Sequence, residues 1–379
     1  MRQAGSRRPL AATLRLFCAA VLAVATGSVP ARAQAPRALS DSAFARLVSS
    51  LSEPGGFFDT DNLISNEDSY LHPISMLKRL GVSGGAYLGV GPDQNLSYIA
   101  AVRPRIAFII DIRRDNLLEH LLFKSLFSIA RNRLEYLCLL FGEAAPADTA
   151  GWGARDIEAL LRFVDSARST PAIAQRAVAR VLARVERTGV PLSGADLETI
   201  SRSHNTFIRE GPGLRFNSYN RAPQPYYPDY RRLLLETDRS GRRANFLANE
   251  NDFQFVKALE DSNLVVPVIG NFAGSKTLPA TAQWLLAHHE TVSMLYTSNV
   301  EQYLFQDGTF GLFAGSVAQF PRNEKSVMVR SYFQGFHPQA VAGYHVVMTA
   351  QLIDRFVVAL AAGGFESYRD LTGRELLKP

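Results

Sequence analysis

Cysteine is almost missing from this chain: 379 residues carry two, Cys18 and Cys138. With so few, no disulfide framework supports the fold, and a single internal bridge would need both of them. Glycine (27) and proline (19) stand at ordinary levels, so collagen-like and low-complexity architectures are excluded. Only 20% of the residues are charged, against 47% hydrophobic, which is the composition of a globular chain with ample core. No segment reaches eighteen consecutive uncharged apolar residues, so a membrane span is not expected. The seven histidines, His72, His120, His204, His288, His289, His337 and His345, form no H-x-H, H-E-x-x-H or Cys/His set, and a metal site has no positive support.

The chain does have an excess of positive charge, +6 overall, and that excess is unevenly placed. Arg2, Arg7, Arg8 and Arg15 lead into an apolar run from Leu16 to Thr26 that ends in Ala31-Arg32-Ala33. A charged start, a short apolar middle and a small-residue A-x-A end make up a secretory signal peptide. Arg7-Arg8 half-matches a twin-arginine signal, but the residues after the pair are not strongly apolar, and an ordinary secretory signal fits better. Removing residues 1–33 from 379 leaves 346, and the five arginines lost with them lower the net charge from +6 to +1. The basic balance therefore reports a targeting segment, and the case it seemed to make for nucleic acid is withdrawn. An exported small-molecule-binding protein, without nucleic acid, is the expectation.

The exported part reads as an α/β fold: a Rossmann-like, mostly parallel sheet flanked by helices, with a helical insertion. Residues 34–65 form a lead-in with a small helix capped by Ser40 or Asp41. Residues 66–142 carry a helix over 74–80, a buried strand over 86–90, a helix over 93–101, a second strand over 106–110 ending on Asp111, and one long apolar helix over 116–141. Strand, helix, strand is the signature of a parallel pair. Residues 143–244 change in composition and read as a helical insertion, with Thr170-Pro171 and Ser193/Asp196 as helix starts and a loop rich in Pro, Tyr and Asn over 211–229. Residues 245–379 resume the alternation: strands over 264–269, 292–296 and 326–333, helices over 252–259 and 279–289, and a closing amphipathic helix over 338–361.

The sharpest local feature is Gly89-Val90-Gly91-Pro92-Asp93-Gln94-Asn95 at the end of the first strand, followed by Asp111 at the end of the second. A tight glycine turn lets a ligand approach the backbone, and an acid on the next strand tip can hold both hydroxyls of a ribose. Gln94 stands where a dinucleotide fingerprint has its third glycine, and Asp93 would oppose a pyrophosphate at the helix start. NAD and FAD are disfavoured on both counts. Gly270-Asn271-Phe272-Ala273-Gly274-Ser275-Lys276-Thr277 approaches a phosphate loop but lacks the glycine before the lysine. Gly81-Val82-Ser83-Gly84-Gly85 fits G-x-S-x-G in letters alone, since it follows a helix and precedes a strand. Arg113 and Arg114 either clamp an acidic group of a substrate or pair with acids of the fold. Tyr219, Tyr226, Tyr227 and Tyr230 are expected to serve as a lid or as packing.

In these residues the chain resembles the class I S-adenosylmethionine-dependent methyltransferases, over roughly 66–141 and 245–335. Gly89, Gly91 and Asp111 match the glycine turn and strand-end acid that contact the cofactor there, while Asn271 stands where that family often has Asp. Leu295-Tyr296-Thr297-Ser298-Asn299-Val300-Glu301 is similar to the strand end that faces the donor methyl. The resemblance implies S-adenosylmethionine bound across Gly89, Gly91, Asp93, Asp111 and Asn271, with Ser298, Asn299 and Arg113 towards a substrate. Tyr296 or Glu301 would then be the base where the acceptor carries a proton. Methyl transfer needs alignment more than a nucleophile. Location opposes this reading, because that cofactor is made in the cytoplasm; the alternative is an exported protein that keeps the fold for another ligand or an interaction. Intact-mass measurement of the exported protein is expected to place its first residue at Gln34, and a mass retaining Met1 would remove the export reading.

Overall fold

The computed structural model describes residues 38–220, 222, 224–333 and 336–379, and Ala35–Pro379 forms one compact unit. The signal segment expected over 1–33 lies outside the described residues. Six strands make one sheet: β1 (Ala86–Gly89), β2 (Ile106–Asp111), β3 (Val265–Ile269), β4 (Val292–Ser298), β5 (Val327–Tyr332) and β6 (Val347–Leu352), in the order β3-β2-β1-β4-β5-β6. The first five run parallel, and β6 is antiparallel to β5. This is a Rossmann-like α/β fold with a helical insertion between β2 and β3.

The strand sequences explain the layering. Ile106-Ala107-Phe108-Ile109-Ile110-Asp111 is buried at every position, as a parallel strand covered on both faces requires. Pro267 sits inside β3 opposite Ile109, which is tolerable because β3 is the edge strand and one amide there needs no partner. That edge is closed by the chain following the helix Asp41–Leu51: Glu53 N–H donates to Ile269 O (3.0 Å) and Ile269 N–H donates to Ser52 Oγ (3.1 Å).

Several local expectations hold in detail. Ser40 caps Asp41–Leu51, Gly81 ends Ile74–Leu80 with φ +66°, Thr170 caps Pro171–Glu186, and Ser193 and Asp196 form a capping box on Gly194–Glu210. Two long helices expected from the pattern are corrected. The apolar stretch 116–141 is two helices, Arg114–Ile129 and Arg133–Leu140. The break comes where Asn132 takes an extended conformation and accepts the Glu135 N–H, a capping bond that competes with continuing the helix. The stretch 338–361 contains β6 before the helix Ile353–Ala361. Its valines and Thr349 suit a strand, and the pairing with β5 that decides the matter is a tertiary contact.

The insertion packs on the two helices that follow β2, Arg114–Ile129 and Arg133–Leu140. Arg114 Nε donates to Asp196 (2.6 Å). His204 is fully buried, with Nε2 3.0 Å from Leu139 O. Among the described residues no helix is long and apolar enough to cross a membrane.

Gly85, entering β1, has φ +59°, and a Cβ there would lie 2.3 Å from Thr291 O and 2.5 Å from Ser293 Oγ. Gly85→Ala is expected to lower unfolding free energy in urea by roughly 2 kcal/mol or more; an unchanged midpoint would contradict this packing.

Candidate functional site

β1 and β4 are neighbours, and the chain leaves them towards opposite ends of the sheet, so the carboxyl edge between them is the topological switch point where open α/β sheets bind ligands. A cavity of about 550 Å³ lies there. Its walls come from four places: the strand ends (Gly91, Asp111, Gly270, Ser298), the lead-in and the turn just after it (Phe58, Asn62, Glu67), the insertion (Phe216, Tyr226, Tyr227) and the segment after β4 (Asn299, Gln302, Tyr303). The lead-in and insertion loops are joined over the site. Thr60 pairs with Ser218 in a single β-bridge, Thr60 Oγ1 donates to Asn217 O (2.9 Å), and Tyr219 N–H donates to Asp59 O (2.9 Å).

Of the residues nominated from the sequence, Gly91, Asp111, Arg113, Asn271, Ser298 and Asn299 line this cavity. The other four do not. Gly89 turns towards its own chain, where a Cβ would meet Asn95 Oδ1 at 2.0 Å and Tyr87 Oη at 2.6 Å. Asn95 holds the glycine turn from inside, its Nδ2 donating to the carbonyls of Val90 (2.9 Å), Gly91 (3.1 Å) and Pro92 (2.7 Å). Asp93 is buried against the insertion and accepts the Tyr230 hydroxyl at 2.5 Å. Glu301 is fully buried in an ion pair with Arg330 (2.7 Å) and also accepts from Thr297 Oγ1 (2.7 Å), so it holds the sheet and meets no ligand. Tyr296 is fully buried beneath the cavity, and its hydroxyl donates to Glu67 (2.5 Å).

Asp111 is committed to its own neighbour. Arg113 donates to it three times, from the backbone N–H (2.9 Å), Nε (3.1 Å) and Nη2 (3.0 Å), while Nη1 donates to Asp61 O (3.0 Å). This bidentate pair, buried on both sides, leaves the carboxylate little free acceptor capacity and the guanidinium little free donor capacity. Arg113 is therefore no clamp for a substrate acid, and Arg114 is likewise taken by Asp196.

The loop after β3 is also occupied by its own fold. Asn271 N–H donates to Glu53 Oε1 (2.6 Å), a Cβ on Gly274 would meet the same carboxylate at 2.6 Å, and Lys276 bonds the Ser52 carbonyl. A carboxylate sits where a phosphate would have to enter.

Sequence reasoning missed Glu67. It lies in the polar run Asn66-Glu67-Asp68-Ser69, which reads as surface, yet it is 1% exposed and accepts hydroxyls from both Tyr296 and Ser298. Burial raises its carboxyl above the ordinary value, and the Ser298 and Tyr296 hydroxyls pull it partly back. Ser298 itself has φ +53° at the end of β4, where the β4/β5 register also shifts. For a serine this is a strained conformation of the kind held at functional sites. His120, under the glycine turn, bonds Gly91 O (2.9 Å), and burial lowers its pKa to about 4, so it is neutral. Among the described residues no group of three or more His, Cys, Asp or Glu side chains is placed to hold a metal ion.

One family model, described as a domain of unknown function (DUF7790), matches residues 63–190 and 198–370, running through both halves of the sheet and most of the insertion. No curated protein matches the chain.

Burial pushes the Asp93 carboxyl up to about 6. A raised acid favours folding while protonated, so this contribution is present below about pH 4 and is lost as pH rises through 6. Asp93→Asn is expected to flatten the pH dependence of stability across that interval in denaturant titrations at pH 4 and pH 7; an unaltered slope would remove Asp93 as its source.

Proposed function

We propose that this chain, which belongs to the DUF7790 family of domains of unknown function, is an exported protein that binds a small organic molecule at the carboxyl edge of a methyltransferase-like sheet. The observation that carries the reading is the convergence of six sequence-nominated residues on one cavity of about 550 Å³ at the switch point. That volume lies within the range of small-molecule sites. The lining pairs an aromatic side (Phe58, Phe216, Tyr226, Tyr303) with carboxamides (Asn62, Asn66, Asn299, Gln302), which suits a ligand with an apolar body and a hydrogen-bonding end.

S-adenosylmethionine, the cofactor implied by the resemblance, fits this edge poorly. Its ribose hydroxyls need the Asp111 oxygens, and Arg113 already holds them with three hydrogen bonds. Binding there means giving up a buried ion pair, at a cost of several kcal/mol for the charge left unpaired. Of the glycine turn, Gly91 faces the cavity and Gly89 does not. The reading that keeps the fold for a different ligand is favoured, and it also agrees with export, since a periplasmic or secreted protein does not meet the cytoplasmic cofactor pool.

Calorimetric titration of the exported form with S-adenosylmethionine and its demethylated product is expected to give no binding. Binding lost in Asp111→Ala would instead make the chain an adenosyl-ligand protein. Ligand-observed NMR with aromatic fragments is expected to find binders whose affinity Asn299→Trp, which fills the cavity, weakens at least tenfold. Fragments that bind equally to both proteins, or none that bind, would remove the cavity as the site.

A further inference from the structure

At the base of this cavity three side chains stand in a row. Ser298 Oγ donates to Glu67 Oε1, and the Tyr296 hydroxyl donates to Glu67 Oε2 (2.5 Å). Ser298, partly exposed, and Glu67, itself buried, both line the cavity, while Tyr296 is buried behind them. A hydroxyl bonded to a base, with the base oriented by a third group, is the general form of an activated nucleophile.

The backbone places this hydroxyl as such a nucleophile needs. Ser298 ends β4 and stands two residues before the helix Val300–Gln306, with φ +53°. A strained strand-to-helix turn at the carboxyl edge of a parallel sheet lifts a serine hydroxyl out of the strand and presents it to the space above. The surrounding motif is Tyr296-Thr297-Ser298-Asn299-Val300, without the flanking glycines of the G-x-S-x-G form, so letter matching passes over it. The literal match, Gly81 to Gly85, lies at the entry to β1, at the opposite end of the strands.

We propose that Ser298 is a catalytic nucleophile for acyl transfer from a carboxylic ester, with Glu67 as its general base and Tyr296 as the residue that positions Glu67. Ser298 Oγ attacks the ester carbonyl carbon, and as that C–O bond forms its proton passes to Glu67 Oε1. The tetrahedral intermediate collapses with cleavage of the bond to the leaving oxygen. That oxygen takes the proton from Glu67 and departs as an alcohol, leaving acyl-Ser298 and the carboxylate. Water, the second substrate, adds to the acyl carbon while Glu67 accepts its proton. Ser298 Oγ then leaves, recovers that proton, and the carboxylic acid is released. Asn66, Asn299 and Gln302 bring carboxamide groups to the same cavity, the donor type that stabilises a developing oxyanion. Phe58, edge-on to Tyr303 at 5.1 Å, offers an apolar wall that suits an aromatic or alkyl acyl group. Burial supports the assignment of Glu67 as base, because a carboxyl raised above its ordinary value is the stronger proton acceptor.

The inference rests on the cavity admitting a small molecule but not on which molecule the protein holds in the cell. Its test is reaction of the folded chain with an alkyl fluorophosphonate, followed by digestion and mass spectrometry. Wild type is expected to carry the phosphonyl adduct on Ser298, and Ser298→Ala to carry none. Glu67→Gln is expected to react at least tenfold more slowly. Tyr296→Phe keeps both reacting groups and is expected to fall less, with circular dichroism reporting whether each variant is folded. No adduct on Ser298 in wild type overturns the proposal, and equal rates in wild type and a folded Glu67→Gln overturn the role of Glu67. A chain that binds fragments yet leaves Ser298 unmodified keeps the ligand-binding reading and loses this one; a chain that does neither loses both.

Discussion

Arg113 ties the carboxyl edge together. Its guanidinium joins the tip of β2, through Asp111, to the lead-in loop, through the carbonyl of Asp61, and the backbone of Asp111 in turn accepts Gly270 N–H (2.8 Å) from the loop after β3. A parallel sheet leaves its strand ends as a row of loops that must find partners for their polar groups. Here one buried ion pair supplies several of those partners at once. Removing either member would strand a charge in a site that is 5 to 6% exposed, which is why the pair governs both the shape of the edge and what the edge can bind.

The same self-satisfaction runs through the neighbouring loops. Asn95 satisfies three carbonyls of the glycine turn, Glu53 takes the amide of Asn271, and Asp93 takes the hydroxyl of Tyr230. Each is a position where a nucleotide-binding sheet of this kind would meet its ligand, and each is filled by the chain itself. The polar groups facing the cavity include Ser298 and Asn299 at the end of β4, Glu67 beside them, Asn62 and Asn66, and Gln94 after the glycine turn.

Much of the architecture was legible in the residues alone. Buried runs such as Ile106 to Asp111 admit one environment, and helix starts such as Thr170-Pro171 are set within a few residues by local hydrogen bonds. Where local signals compete, legibility ended: Asn132 broke a helix that the apolar pattern carried through, and β6 was hidden inside a helical reading because its strand character depends on pairing with β5. Within the site, the positions of Gly91, Asp111, Asn271, Ser298 and Asn299 at strand ends followed from element order alone. The commitments of Asp111 to Arg113 and of Glu301 to Arg330 did not, because a charged residue's partner is fixed by which loops meet in space.

By itself, then, the sequence determined most of the strand and helix order and the placing of the nominated residues at the carboxyl edge, since these follow from periodicity, capping and composition over short spans. Only the tertiary structure decided which of those edge residues are free. It also supplied Glu67, which the packing of the turn after the lead-in brings beside Ser298 from 231 residues away in the chain. No local pattern encodes a contact of that separation, because what places it is the burial of both segments against a common core.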